Sequence, residues 1–379
     1  MGKRALAGVV LLLSLAPLAA TLPALTLLPS PSAQTTEAGL KGVLNERLNV
    51  SWPTFSPDGL ELAFTADNGN GSDLWVTRID GRRAWQATSL GGVISAPEYS
   101  PDGRRIACLW SHEGLSDLLL IKREGGSLMR VTEGGHVLRF SWSPDGTRIV
   151  YDDWTSKKIR VTTISTGSTR VIDVGMPALY PTFSNERNII FSGSDRSYFN
   201  LWGVDLETGA LRRITRSLAN DTMAWVSPDG TKILFASAVG TRKQLWIVDA
   251  DGSNPQELLA PPPFFEPAVV FPPNPEPDWI SPPRWSPDGK HVLYASSSSN
   301  SAGNLFLVTF NVSVTINYPA WGLVDTQMTV VTNLGNVTTA VRQPSWSPDG
   351  KGLVFVDAST GELLILAVEP TEIKIKIGY

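Results

Sequence analysis

The chain has 379 residues, a formal net charge of −4, 33 glycines, 28 prolines and a single cysteine. The near-balanced charge gives no basic footprint, so nucleic acid is excluded as a partner. One cysteine forms no intrachain disulfide, and the turn-rich composition with no useful helical periodicity after residue 50 excludes a helical architecture.

Lys3 and Arg4 precede an uncharged apolar stretch from Ala5 to Leu28. A basic start followed by an apolar core is the pattern of a secretory signal, and residues 1–33 are read as that signal, cleaved after Ala20 or near Ala33. The competing reading is an uncleaved anchor, since 24 apolar residues are long enough to span a bilayer. In both readings the remainder is exported, periplasmic or extracellular, and the membrane is touched only through an uncleaved N-terminal segment. No cysteine lies near the signal, so a lipoprotein anchor is excluded. Residues 34–46 are rich in small and polar types and read as a linker.

From there the chain repeats itself. The phrase Ser-Pro-Asp-Gly starts at Ser56, Ser100, Ser143, Ser227, Ser286 and Ser347, with a worn copy at Ser184. The intervals are 44, 43, 41, 43, 59 and 61 residues, and a period near 40–45 is that of a propeller or solenoid. Proline presets φ for a tight turn, aspartate closes the turn with its own side chain, and glycine takes the left-handed position. An apolar triplet begins six residues after each intact Ser, as in Ile149-Val150-Tyr151 and Val292-Leu293-Tyr294. A second apolar run follows, such as Leu74-Trp75-Val76 or Leu245-Trp246-Ile247, and a short segment such as Arg130-Val131-Thr132 closes most units. Each unit is therefore four short strands, a to d, joined by hairpins.

The phrase resembles the repeat of TolB-like β-propellers, a WD-type repeat with Pro-Asp in place of Trp-Asp. The resemblance covers residues 47–379 and implies an all-β fold, a seven-bladed β-propeller of four-stranded antiparallel blades, with six blades as the alternative. The final segment Thr371–Ile377 is expected to supply the last strand d. The family's namesake places an α/β domain before a six-bladed propeller, and here only the short linker precedes the repeats.

Two insertions break the rhythm. Pro261–Pro283 is proline-rich and falls between units five and six; Asn311–Gln327 falls between strands c and d of unit six and extends that hairpin. In a propeller the a–b and c–d turns share one face, here called the bottom. The b–c loops and the d-to-a crossovers share the top. The proline-rich insertion and the b–c loops place Trp154, Arg196, Tyr198, Phe264, Phe265 and Trp279 on the top. Exposed aromatic groups beside prolines are what recognition surfaces use, so these six are the candidate binding residues.

No catalytic constellation stands out. The Asp residues of the phrase lie on separate turns and read as turn formers. His112, His136 and His291 fall in three units, without ligand-like spacing. Asp152, Asp153 and Asp195 sit in neighbouring b–c loops, where a shared cation site competes with a reading of solvated loops. No Gly-x-Ser-x-Gly elbow occurs, which excludes a complete prolyl-oligopeptidase-like enzyme. No catalytic residue, metal or cofactor is assigned. The leading reading is an exported, monomeric propeller acting as a scaffold that binds an envelope protein or an extracellular polymer. The alternatives are a lyase or hydrolase acting on glycans or peptides in the central cavity, for which metal-dependent TolB-like lyases are the precedent, and a surface or assembly subunit.

Overall fold

The computed structural model describes residues 9–10, 35–36, 49–258 apart from 68, 70, 81, 196–197 and 240–241, and then 282–296, 304–318, 322–333, 341–357, 362–367 and 375–377. The chain forms two compact units, one of Gly39–Pro277 and one of Met1–Ala38 with Asp278–Tyr379. Two short strands come first, β1 (Val9–Val10) and β2 (Thr35–Thr36), and belong to the second of these.

The unit Gly39–Pro277 holds five four-stranded antiparallel blades. Blade one is β3 (Asn49–Phe55), β4 (Glu61–Asp67), β5 (Gly71–Arg78) and β6 (Ala84–Gln86). Blade two is β7 (Gly92–Tyr99), β8 (Arg105–His112), β9 (Leu115–Lys122) and β10 (Leu128–Arg130). Blade three is β11 (Phe140–Trp142), β12 (Arg148–Asp153), β13 (Lys158–Thr163) and β14 (Thr169–Ile172). Blade four is β15 (Ala178–Phe183), β16 (Asn188–Ser194), β17 (Phe199–Asp205) and β18 (Leu211–Arg213). Blade five is β19 (Asn220–Val226), β20 (Lys232–Val239), β21 (Arg242–Asp249) and β22 (Gln256–Leu258). Within each blade the strands pair in the order a-b-c-d, and the worn fourth copy builds a complete blade.

A sheet of this size cannot bury both faces alone, so the core is a series of layers between successive blades. One layer sets Val150 and Ile159 of blade three against Phe183, Ile189 and Phe191 of blade four. The next sets Ile190 and Leu201 against Ala224, Ile233 and Phe235. Each fully buried aliphatic or aromatic side chain contributes on the order of 1.5–3 kcal/mol. Cys108 lies in such a layer, wholly buried, and burial pushes its thiol up into an unreactive state.

The repeated phrase is the turn from strand a to strand b. Ser56 Oγ donates to Asp58 Oδ1 (2.6 Å) and accepts from Glu61 N (3.0 Å), while Asp58 Oδ1 accepts from Leu60 N (3.0 Å). The same serine–aspartate bond recurs at Ser100, Ser143, Ser227, Ser286 and Ser347. The six glycines have φ between +66° and +72°, the left-handed region that a Cβ disfavours. Successive turns overlap. A Cβ on Gly103 would lie 3.5 Å from Pro57, and one on Gly146 would lie 3.3 Å from Pro101.

Strand a carries a second repeated feature. Trp52, Ala96, Tyr180, Met223 and Gln343 all have φ between +49° and +59°, each four residues before the Ser of its phrase or of the worn copy. Each sits in a β-bulge, where the register slips between Ser51 and Thr54 and at the matching places in the other four strands. Proline follows in four of the five, as Pro53, Pro97, Pro181 and Pro344. A bulge leaves its extra residue without a ladder partner, so a residue with no N–H costs nothing there.

The other unit holds two sheets. The first is β23 (Arg284–Trp285), β24 (His291–Ser296), β25 (Asn304–Tyr318) and β26 (Gly322–Asn333). The insertion Asn311–Gln327 does extend the hairpin, which runs on to Tyr318 opposite Gly322. The second is β27 (Val341–Trp346), β28 (Gly352–Asp357) and β29 (Glu362–Ala367), and its fourth strand is β2. This corrects the expected strand d. The tail strand β30 (Ile375–Ile377) pairs in parallel with Val314–Ile316 of β25 instead. The Ile-Lys-Ile-Lys-Ile alternation specifies a strand but not the edge it joins.

Candidate functional site

The two faces follow from the hydrogen bonds. On the bottom, Arg123 in the c–d turn of blade two reaches the a–b turn of blade one, with Asp58 at 2.7 Å and Glu61 at 2.6 Å. That guanidinium holds the Asp58 carboxyl down at about 2. On the top, Trp154 N in the b–c loop of blade three donates to His136 O of the preceding crossover (3.1 Å). Phe199 N of blade four donates to the side chain of Asn220 at the start of blade five (3.0 Å).

Of the six candidate binding residues, the structure describes Trp154 and Tyr198. Trp154 is 45% exposed and Tyr198 is 42% exposed, on the b–c loops of adjacent blades. Lys157 lies over the Trp154 ring at 5.7 Å from its centroid. Arg196, Phe264, Phe265 and Trp279 lie outside the described residues, as does most of the proline-rich insertion. Three further apolar residues that sequence reasoning missed join this face: Leu218 at 82% exposure, and Leu90 and Val93. Leu90 and Leu218 belong to d-to-a crossovers, where nothing in the repeat pattern distinguishes them from buried positions.

The acidic loop residues are each engaged. Asp153 pairs with Arg160 (2.9 Å) and Asp195 with Arg213 (3.1 Å). Asp152 is fully buried and accepts from Leu138 N (2.8 Å), Arg139 N (3.0 Å) and Tyr180 N (2.9 Å). Burial pushes its carboxyl up to about 6, against these three bonds and the positive charge of Arg139. Arg139 itself crosses the inner strands: it skips blade four, donates to Ala224 O of blade five (3.3 Å) and lies over the Trp225 ring (4.9 Å). The axial end of blades three to five is thus bridged by a side chain.

The histidines do not converge either. His112 Nε2 contacts Asp117 (3.1 Å) and its ring stacks on Trp110 at 3.7 Å. His291 Nδ1 contacts Thr309 Oγ1 (3.0 Å) in the other unit. Among the described residues, no group of three or more His, Cys, Asp or Glu side chains is placed to hold a metal ion.

Asp117 belongs to a latch that the sequence reading did not find. It is fully buried and accepts from Thr132 Oγ1 (2.7 Å), Gly135 N (2.8 Å) and Arg130 (2.9 Å) as well as His112. Burial alone would raise its carboxyl; Thr132, Gly135, His112 and Arg130 together hold it well below the usual range. Thr132 Oγ1 in turn accepts from Leu118 N (2.9 Å). Asp73 with Thr88 and Asn200 with Thr215 repeat the arrangement, always with threonine fifteen residues after the acid or amide. It ties the start of strand c to the end of strand d beneath the top face. The signal in the sequence is the threonine that follows strand d in three of the five blades, Thr88, Thr132 and Thr215.

These features define a β-propeller built from Ser-Pro-Asp-Gly repeats, with two aromatic side chains, Trp154 and Tyr198, exposed on its top loops. The family model described as the TolB beta propeller domain matches residues 40–151 and 136–261, and the chain belongs to that family. Among curated relatives, it is 27% identical over 226 residues to the Tol-Pal system protein TolB of Francisella tularensis, covering 58% of this chain and 45% of that one. An uncharacterized protein of Agrobacterium fabrum is 23% identical over 218 residues, 56% of this chain and 67% of that one. The chain therefore spans less than half the length of the TolB relative it matches. Among solved structures, an oligogalacturonate lyase in complex with manganese aligns with TM-score 0.59 at 14% identity, over 85% of this chain and 91% of that one. TolB of Acinetobacter baumannii aligns with TM-score 0.51 at 18% identity, over 79% and 66%. At these identities the structural likenesses show the fold alone. No helix among the described residues is long and apolar enough to cross a membrane.

Proposed function

We propose that the chain is an exported propeller that binds a partner protein in the cell envelope through its top loop face. One observation carries this reading. Trp154 and Tyr198 are large, exposed aromatics on b–c loops of that face, and Leu90 and Leu218 are exposed on its crossovers, all outside the blade strands. Exposed aromatic groups on a rigid scaffold are the usual anchors of protein recognition. The relative named for the Tol-Pal system supports an envelope partner, and the basic, apolar N-terminus supports export. Asp152, Asp153, Asp195 and His112 are engaged with backbone donors, cations and a neighbouring carboxylate, which favours binding over chemistry in the axial cavity.

The test is capture from an envelope extract by the full chain, compared with Trp154→Ala/Tyr198→Ala. The double variant keeps its melting temperature within a few degrees, because neither side chain belongs to an inter-blade layer, and loses the captured protein. Undiminished capture by the variant would place the binding surface elsewhere.

A further inference from the structure

The hairpin of β25 and β26 is built unlike the rest of the molecule. The outermost strands of the five blades in the other unit have three or four residues: β6, β10, β14, β18 and β22. Short outer strands are how sheets avoid pairing with other chains. The outer strand β26 has twelve residues and its partner β25 has fifteen. Between Asn304 and Asn333 the only charged residue is Asp325, and no lysine guards either edge.

One edge of β25 is left open by the blade itself. β24 pairs with β25 only from Asn304 to Thr309, and the register slips between Thr309 and Val312. Beyond the slip, β26 continues along one side of β25 while β24 has ended. The vacated side is filled by the tail, with Ile375, Lys376 and Ile377 in parallel register with Val314, Thr315 and Ile316. The occupant is short, extended and rich in β-branched residues, and comes from a segment remote in sequence.

We infer that this edge of β25 is a strand-docking site. Its partner is an extended polypeptide segment with β-branched apolar residues at alternate positions, and the chain's own tail is a displaceable occupant of it. A parallel ladder is slightly less stable per residue than an antiparallel one, this one is only three residues long, and main-chain pairing is indifferent to which chain supplies the strand. The tail is tethered to Ala367 by a link of seven residues, so it competes through local concentration rather than through intrinsic affinity.

The experiment locks the tail reversibly in the full chain. Val314→Cys with Ile375→Cys joins two residues in register, and the native Cys108 is buried and does not interfere. The probe is a fluorescein-labelled synthetic peptide of residues 371–379, followed by anisotropy. The unlocked protein binds it saturably, a peptide with Ile375→Asp and Ile377→Asp does not bind, and oxidation of the double-cysteine variant weakens binding by about tenfold or more until reductant restores it. Equal binding by the oxidised and reduced forms overturns the inference. So does failure of the two cysteines to join, or self-association of the chain that the peptide does not compete away. Trp154→Ala/Tyr198→Ala leaves peptide binding unchanged, so this site and the top face stand or fall separately.

Discussion

Tyr180 donates its backbone N–H to the carboxylate of Asp152 (2.9 Å), and the two residues belong to different blades. Tyr180 is one of the left-handed bulge residues (φ +52°), and such a conformation persists only where its surroundings hold it. Met223, the next bulge residue, donates in the same way to Ser192 Oγ of its own preceding blade (3.3 Å). The end of strand b in one blade thus fixes the bulge of the blade that follows, with a carboxylate at one joint and a neutral hydroxyl at the next.

This difference predicts a pH dependence specific to one joint. Asp152 is held up at about 6, above its ordinary value of 3.8, because it is wholly buried. Between those values the folded chain binds more protons than the unfolded chain, so this residue's contribution to stability falls as pH rises from 4 to 7. Replacing Asp152 by the serine used at the next joint removes the dependence. Urea unfolding at pH 4.5 and pH 7 should show wild type losing ground to Asp152→Ser by about 2–3 kcal/mol on going to the higher pH. A difference that is the same at both pH values would contradict the assignment.

Asp117 predicts the opposite sign. Its carboxyl is held low, so its stabilisation is present above the ordinary aspartate range and is lost as pH falls toward the folded value. At pH 7, Asp117→Ala strands the donors Thr132 Oγ1, Gly134 N, Gly135 N, Arg130 and His112 and costs about 3–5 kcal/mol. Thr132→Val removes only the hydroxyl bridging Asp117 and Leu118 N and costs about 1–2 kcal/mol. If the two substitutions cost the same in chemical unfolding, the latch is not centred on the carboxylate.

Two glycines separate conformational strain from crowding. Gly146 (φ +66°) and Gly209 (φ +72°) both adopt the left-handed conformation. A Cβ at Gly146 meets Pro101 at 3.3 Å, whereas one at Gly209 meets nothing within 4 Å. Both alanine variants lose about 1 kcal/mol from backbone strain. Gly146→Ala should lose a further fraction of that amount by pushing on the neighbouring turn, measured as a lower urea midpoint than Gly209→Ala.

Arg139 predicts a local effect at a distance in sequence. Arg139→Leu removes the cation over the Trp225 ring and the bond to Ala224 O. The loss is about 1–2 kcal/mol, and backbone amide exchange should quicken in β19 of blade five more than in the adjoining strands of blade two.

The turns were legible in the sequence because each residue of Ser-Pro-Asp-Gly has a distinct backbone task. A tryptophan directly precedes three of the phrases, Trp142, Trp285 and Trp346, and two of these close a bond to the preceding blade. Trp142 donates its indole N–H to Glu98 O and Trp346 donates to Arg284 O, at the same offset in each pair. The bulges were not legible. Trp52, Ala96, Tyr180, Met223 and Gln343 share a conformation but no side-chain chemistry, and the prolines after four of them were the only trace. The Asp–Thr latch was hidden by spacing, since its two halves lie fifteen residues apart on different strands and Asn200 replaces the acid in one copy. Of the candidate site, Trp154 and Tyr198 were readable from their place in b–c loops. Leu218 was not, because a single leucine in a crossover carries no period.

The overlap of successive turns has a consequence for how such a chain grows. Gly350 faces Pro287 at 3.8 Å although 61 residues separate their two phrases, while Gly146 faces Pro101 across an interval of 43. The joint is indifferent to the length of chain looped out between its halves. A tandem duplication therefore carries both halves of a working joint with it. An insertion in any loop can lengthen without disturbing the seam, which leaves the loops free to diverge toward new partners while the rim is inherited intact.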